Sequence, residues 1–498
     1  MSQVTHPGRL RSVRERERGA EGDRRWWILA VLAVAQLMVV LDATVVNIAL
    51  PSAQAALHFS TADRQWIVTA YSLTFGSLLL LGGRLADLLG RRRMLLIGLA
   101  GFAAASAAGG AATGFDMLVI ARATQGAFGA MLAPAALSLL TTTFADSSDR
   151  GKAFGIYGAV AGGGGALGLI LGGVLTQYLD WRYTLYVNVA FAVIAIAGAA
   201  VLLPARGRDR SVHIDIPGTA TVIGGLAGIV YGMSEAETRG WADWLTLSLI
   251  AAGAALLGLF AVIETRVQHP LLPLRVILDR NRGASYLAIL LTGVGTFGVF
   301  LFLTYYLQQT LGYTPVKSGL AFLPMIAALV AVSAIATGQI APRVGPRLIV
   351  PFGMAVTAVG MVVFAQLTVT SSYAGHVLPG LVIVGAGLGL VFGTAFNTAT
   401  YGALPADAGV ASAMVSVGQQ VGGAIGTAML NTLAASAVAS YLSLRAPTAL
   451  NAARAAVHGD VTAFWVTAAV LLGGAVITAL LYRPGRVQPE AGAAPVAL

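Results

Sequence analysis

Residues 26–51 read WWILAVLAVAQLMVVLDATVVNIALP, an apolar run interrupted by one charge, Asp42. The run exceeds the roughly 20 residues that a helix needs to cross a ~30 Å hydrocarbon core. A carboxylate at that depth costs several kcal/mol, roughly 2.5–3.5 on insertion scales. A chain keeps such a group where it meets water, a partner or a proton path, and neighbouring helices can also satisfy it structurally. Removal from water favours the neutral acid, so a group of this kind is suited to carrying a proton. Asn47 adds a second polar side chain at depth.

The composition around this run is that of a membrane protein. Of 498 residues, 57% are hydrophobic and 10% charged, and mean hydropathy is +0.79. A soluble domain carries about 25% charged residues. The 61 glycines suit helices that must pack backbone to backbone, because lipid supplies no hydrophobic force between them. There is no cysteine, which excludes disulfides, thiol catalysis and cysteine metal sites. The six histidines show no metal-ligand spacing, so no metal or other cofactor is expected. No nucleophile–base pair stands out, so an enzyme is not expected.

Fourteen apolar spans are predicted, at 26–50, 65–83, 94–113, 117–140, 153–176, 182–203, 215–233, 243–263, 284–309, 317–340, 347–367, 378–400, 409–438 and 462–482. The run 26–50 is too long for a cleaved signal peptide and lacks a small-residue cleavage site, so it is expected to stay as an anchor. With the N-terminus in the cytoplasm, 24 cationic side chains fall inside and six outside, leaving Arg122 within a span. That bias follows the positive-inside rule and places both termini in the cytoplasm. The net charge of +10 is accounted for by this distribution, and no nucleic-acid partner is expected. Residues 1–25, with seven arginines among acids, read as a disordered basic cytoplasmic tail. The divisions are 26–203, 204–264, 265–482 and a cytoplasmic tail at 483–498. A short helix is expected in the outer loop 439–461.

The loop after span two, GRLADLLGRRR at 83–93, joins Gly83, Arg84, Asp87, Gly90, Arg91 and Arg92. Glycines permit a tight turn and close helix approach. Asp87 can pair with an arginine or cap a helix, so the loop can act as a charged latch. Cytoplasmic topology alone would also place arginines there. In span four, RATQGAFG at 122–129 puts Arg122, Gln125, Gly126 and Gly129 on one face. Asp42 is the expected counterpart of Arg122, with backbone carbonyls as the alternative. Span five carries glycines every three or four residues, among them Gly158, Gly162, Gly165, Gly168, Gly172 and Gly173, a stripe for helix packing.

Taken together, these motifs resemble the fourteen-span drug:proton antiporter family of the major facilitator superfamily, the multidrug and antibiotic exporters. The 83–93 loop resembles the superfamily's signature, Leu41–Pro51 a first-span sequence peculiar to the subfamily, and Arg122 with Gln125-Gly126 its span-four motif. Trp181-Arg182-Tyr183 through Asn188, and Tyr305–Gln309 with Gly312-Tyr313, resemble further family segments. The resemblance covers about residues 26–482. One departure concerns span five, where the family has prolines after glycines. Here Gly165 follows Gly164 and Leu169 follows Gly168, which bears on whether that helix is kinked.

The resemblance implies an all-α major facilitator fold, two six-helix bundles plus two additional central spans. It implies a rocking transporter of the plasma membrane that exports small amphiphilic drugs, antibiotics or secondary metabolites in exchange for protons. A monomer is expected, with the bilayer, the substrate and protons as partners. Asp42 and Arg122 would couple protons. The substrate cavity would draw on Gln36, Asn47, Tyr71, Gln125, Tyr157, Asn188, Tyr305, Gln309, Asn397 and Gln419. Acids other than Asp42 lie near span ends, which points to neutral, monocationic or anionic substrates. A proton-coupled importer on the same scaffold is the alternative.

Overall fold

A computed structural model describes residues 7–60, 63–144, 150–203, 215–268, 270–401 and 407–484. Its first half comprises α1 (Pro7–Leu57), α2 (Arg64–Leu89), α3 (Arg91–Gly110), α4 (Phe115–Thr143), α5 (Arg150–Tyr178) and α6 (Tyr183–Leu202). A hairpin follows, α7 (Ile216–Arg239) and α8 (Trp244–Arg266). After the short α9 (Leu274–Leu278) come α10 (Arg280–Tyr305), α11 (Pro315–Ala321), α12 (Leu323–Ile335) and α13 (Ala341–Val344). The chain closes with α14 (Pro346–Phe364), α15 (Leu378–Thr400), α16 (Ala408–Ser443) and α17 (Ala449–Leu481). Among the described residues thirteen helical stretches are long and apolar enough to cross a membrane. Gly164–Tyr178 is the apolar end of a fourteenth long helix, α5.

Helices α1 to α6 pack as one bundle and α10 to α17 as a second. There are two large apolar cores, one within the first bundle around Leu32, Met38, Phe102 and Phe144, the other around Phe302, Phe322, Phe364 and Phe464 and continuing into the first bundle at Val45, Leu118 and Trp181. Large apolar side chains such as Val193, Ile194, Leu259 and Phe352 stand exposed on the outer surface, as they must where lipid replaces water. The bundles meet along two seams, α2 against α16 and α5 against α11. Helix α7 rests on both members of the first seam. Gln65 Nε2 donates to Ser234 Oγ at 2.8 Å, and Thr432 Oγ1 to the Met233 carbonyl at 3.0 Å. Helix α7 is therefore fastened to both bundles, and α8 packs against α7.

Several local signals set the helix ends. Asp215, Asp243, Asp279, Thr314 and Thr448 each accept a backbone N–H in the first turn of the helix they precede. Gly90, at φ 93°, ends α2 and starts α3 in a conformation that a side chain disfavours.

Two expectations change. Helix α1 begins at Pro7, so residues 7–25 continue the first helix where a disordered tail was expected. The run 9–25 is rich in Arg and Glu, which favour helix, and contains no proline. The loop 439–461 shrinks to Leu444–Thr448, because α16 and α17 both run past their apolar spans. Helix α5 is one α-helix with no proline within it.

The connections at 58–63, 111–114, 179–182, 240–243, 311–314 and 444–448 share one face of the bundle. The Gly90 turn, the 267–273 connection and Tyr482 share the other, called the terminal face below.

Candidate functional site

Asp42 lies on the buried side of α1, between Met38, Val45 and Ala49, and is fully buried. Three side chains converge on its carboxylate. Arg122 Nη1 donates to Oδ2 at 2.6 Å, while Gln125 Nε2 and Asn188 Nδ2 donate to Oδ1 at 3.0 and 2.7 Å. Arg122, 2% exposed, also donates from Nη1 to Gln125 Oε1 at 2.9 Å and from Nε to the Ile67 carbonyl at 3.1 Å. Its guanidinium lies 4.4 Å from the centre of the Tyr71 ring. Ser106 Oγ accepts from Gln125 Nε2 at 2.6 Å. One carboxylate thus ties α1 to α4 and α6, and its partners reach on to α2 and α3.

The backbone makes this convergence possible. A Cβ on Gly126 would collide with the Tyr71 carbonyl and Thr74 Oγ1, and one on Gly129 would lie 2.9 Å from Phe75 Cδ2. Glycine at these positions lets α4 lie directly on α2, within reach of Ile67. Thr74 Oγ1 then donates across to the Ala123 carbonyl at 2.8 Å. An ion pair sealed in this way depends on both partners, since deleting one strands a buried charge at a cost of about 3–5 kcal/mol.

A small recess of about 10 Å³ lies beside Arg122, lined by Val46, Ala49, Leu50, Ile67, Leu118, Trp181 and Leu185. It is apolar and holds about one water at most. The recess lies on the side toward the face opposite the terminal face, where the two bundles close on one another.

That closure is made by contacts between the bundles. Arg64, buried at the start of α2, donates from Nε to Asn431 Oδ1 of α16 at 2.9 Å. Its guanidinium sits 4.3 Å from the Tyr305 ring centre and 5.4 Å from that of Phe302. The buried carboxylate of Asp460 on α17 bears on the same cation. Tyr305 donates to Gln54 Oε1 of α1, and Gln308 Nε2 to the Ile48 carbonyl at 3.0 Å. On the second seam the Val316 amide donates to Gln177 Oε1 at 3.2 Å. Sequence reasoning named Tyr305 but missed its partners: Arg64 falls among the six outer cations, although Arg64-Gln65 at the head of a span was the available signal.

The other sequence candidates are distributed as follows. Tyr157 donates to Gln36 Oε1 at 2.8 Å, an α5–α1 contact away from Asp42. Asn47 bonds the Ala43 carbonyl of its own helix at 3.0 Å. Asn397 and Gln419 are half-buried on α15 and α16 of the second bundle. Gln309 is exposed within the π-helical turn Tyr306–Thr310. The wider turn aims its neighbour Gln308 at α1 in its place.

In the 83–93 loop, Arg84 Nη2 donates to the Pro270 carbonyl at 2.6 Å, reaching the connection between α8 and α9. Arg92 Nη2 donates to the Ala200 carbonyl at the end of α6, at 2.8 Å. Arg91 is engaged as well. The Asp87 side chain lies outside the described set. Gly83 faces only Pro134 Cβ at 3.8 Å, whereas a Cβ on Gly82 would collide with the Ala130 carbonyl. Gly82 is therefore the close-approach residue.

Among the described glycines of α5, Gly164, Gly168 and Gly172 touch α1, against Val40, Thr44 and Val45. Gly165 comes only to 4.0 Å from Thr44, and Gly173 meets Pro315 and Val316 of α11. Gly158 and Gly162 lie outside the residues with described surroundings.

The chain belongs to the Major Facilitator Superfamily, whose sequence profile matches residues 32–427. Among its relatives is "Puromycin resistance protein pur8" of Streptomyces alboniger, 47% identical over 92% of this chain and 91% of that protein. Another is "Cephamycin export protein CmcT" of Amycolatopsis lactamdurans, 38% identical over 93% of each. The fold also matches the crystal structure of a bacterial homolog of the human lysosomal transporter Spinster, inward-facing and unoccupied. There the TM-score is 0.64 at 14% identity, over 93% of this chain and 99% of that one. At that identity the match speaks to fold alone. The protein is a multi-pass membrane transporter.

Proposed function

We propose that this protein exports small amphiphilic antibiotics or secondary metabolites across the plasma membrane in exchange for protons, by alternating access between its two bundles. The relatives' names support the substrate class, with "Tetracenomycin C resistance and export protein" of Streptomyces glaucescens as a third. The 24-to-6 distribution of cationic residues supports cytoplasmic termini. The terminal face is then cytoplasmic, and the Arg64–Asn431–Tyr305 group closes the outer face.

The observation that carries proton coupling is the Asp42 carboxylate held by Arg122, Gln125 and Asn188. In the outer-closed state the oxygens of the carboxylate accept from all three donors. Proton uptake at Asp42 would release Arg122, and with it the grip of α1 on α4. When the bundles tilt the other way, the proton leaves and the cluster re-forms. A buried group alternately paired and protonated is a means of tying a gradient to a conformational change.

Inverted vesicles carrying the protein test this. With an acidified lumen, puromycin should stimulate proton release from wild-type vesicles and accumulate inside them. Uptake that proceeds equally without a pH gradient would refute antiport. Substrate and proton moving in the same direction would assign the importer reading.

A further inference from the structure

Two carboxylates outside the Asp42 cluster face one another at the base of the α7–α8 hairpin. Asp215 is buried and accepts the Gly218 amide on Oδ1 at 2.9 Å. Glu264, in the last turn of α8 and 4% exposed, accepts the Leu272 amide on Oε2 at 3.0 Å. In each case the second oxygen, Asp215 Oδ2 or Glu264 Oε1, is buried without a hydrogen-bond partner. Both lie beside Gly218 of α7. A Cβ on Gly218 would collide with Asp215 Oδ2 and lie 3.1 Å from Glu264 Oε1.

Unpartnered buried oxygens call for an explanation. Two carboxylates facing each other cannot both hold charge cheaply, and a single shared proton removes the conflict. Among the described residues no cation hydrogen-bonds either free oxygen. Arg84 of α2 bears on Glu264, but its donor Nη2 is placed on the Pro270 carbonyl. Arg266 of α8 is exposed. Arg275 of α9 is bound to Asp407, and Arg282 of α10 pairs with Asp279 at 3.7 Å.

We propose that Asp215 and Glu264 form a second proton-binding site, holding one H⁺ between Asp215 Oδ2 and Glu264 Oε1. The protonated pair joins the start of α7, the end of α8 and, through Leu272, the connection that Arg84 also grips. Loss of the proton sets two like charges against each other and loosens that joint. The site is remote from Asp42 and does not depend on the transport reading.

The test uses the full chain purified in detergent. Infrared difference spectra between acid and alkaline pH should show a protonated-carboxyl band that persists in Asp42→Asn and is lost in the double variant Asp215→Asn/Glu264→Gln. Thermal midpoints give a second readout. The folded protein holds a proton that the unfolded chain has released, so the wild-type midpoint should fall as pH rises through the pair's titration. In Asp215→Asn or Glu264→Gln alone, the amide keeps an oxygen for the Gly218 or Leu272 N–H and offers its own N–H to the facing carboxylate. These midpoints should match wild type at the acid end and stay level on the alkaline side. Single variants that retain the wild-type slope would overturn the proposal. So would a midpoint that rises with added sodium or calcium at fixed pH, since the pair would then be a cation site.

Discussion

Arg122 Nη1 stands 2.6 Å from Asp42 Oδ2, with both side chains sealed inside the first bundle. The pair joins α4 to α1, while Arg122 Nε reaches α2 at the Ile67 carbonyl. A change in the charge of Asp42 therefore alters the contacts among three helices.

Asp42→Asn should reduce pH-driven export to the level of vesicles lacking the protein, while the chain still inserts. The asparagine keeps the volume but leaves the Arg122 cation unpaired, at a cost of about 3–5 kcal/mol. Substrate-stimulated proton release is the readout. Full activity of this variant at pH 7 would defeat the coupling role.

Arg122→Lys should also lose transport, despite the retained charge. A single ammonium cannot serve the Ile67 carbonyl, Gln125 and Asp42 in the geometry of the guanidinium fork. One lost hydrogen bond to a charged group is worth about 1.5–3 kcal/mol. Transport equal to wild type would reduce Arg122 to a charge of unspecific placement.

Gly126→Ala should lower the thermal midpoint of the purified protein by several degrees, because its Cβ meets the Tyr71 carbonyl of α2. Overpacking of this kind costs roughly 1–3 kcal/mol. Gly83→Ala, with only Pro134 Cβ at 3.8 Å, should leave the midpoint unchanged. Equal effects at the two positions would contradict the packing described.

Arg64→Ala should loosen the outer closure. The chain contains no cysteine, so Gln54→Cys supplies a single reporter at the contact with Tyr305. Its labelling by a membrane-impermeant maleimide from outside should rise severalfold when Arg64 is also replaced. Unchanged labelling would show that the closure does not depend on this cation.

Asp407 makes a bidentate pair with Arg275, at 2.8 and 2.9 Å. The hydrogen bonds from Arg275 hold its carboxyl below the usual carboxylate range, against the opposing effect of burial. The stability it contributes is present above the unfolded-state value, near 3.9, and is lost as pH falls through the lower folded value. Arg275 is 63% exposed, so salt screens the pair and the effect is modest. Asp407→Asn should lower the midpoint modestly at neutral pH and match wild type at the acid end, which flattens the acid limb of the midpoint-against-pH curve. An unaltered acid limb would dismiss the pair as a source of stability.

The spans were legible because hydropathy measures directly what lipid demands. Helix ends were not, wherever a helix outruns the membrane. The Ala-rich stretch before His458 extends α17 without being apolar enough to signal a span. Arg122 and Asp42 stood out because charge is rare at depth, and that rarity made each the natural partner of the other. Ser106 was silent, since one serine in an alanine run carries no pattern. Arg64 was hidden by its position at a span boundary, where a cation usually means topology. In α5, glycines crowd Gly155–Gly173 so densely that periodicity cannot choose a face. Only the packing against Val40, Thr44 and Val45 selects Gly164, Gly168 and Gly172.

Helix α1, which carries Asp42, lies on α5 through Gly168 and Gly172, and Gly173 one step further on meets the backbone of Pro315 and Val316 in α11. At Gly172 and Gly173 main chain leans on neighbouring main chain, with few soft side chains between to absorb a shift. A small displacement of α1 would thus pass to the far half of the molecule almost undamped, as along a rigid rod. Bulk added at Gly172 or Gly173 would act as a spacer, changing the timing of the stroke before it changed what the protein can carry.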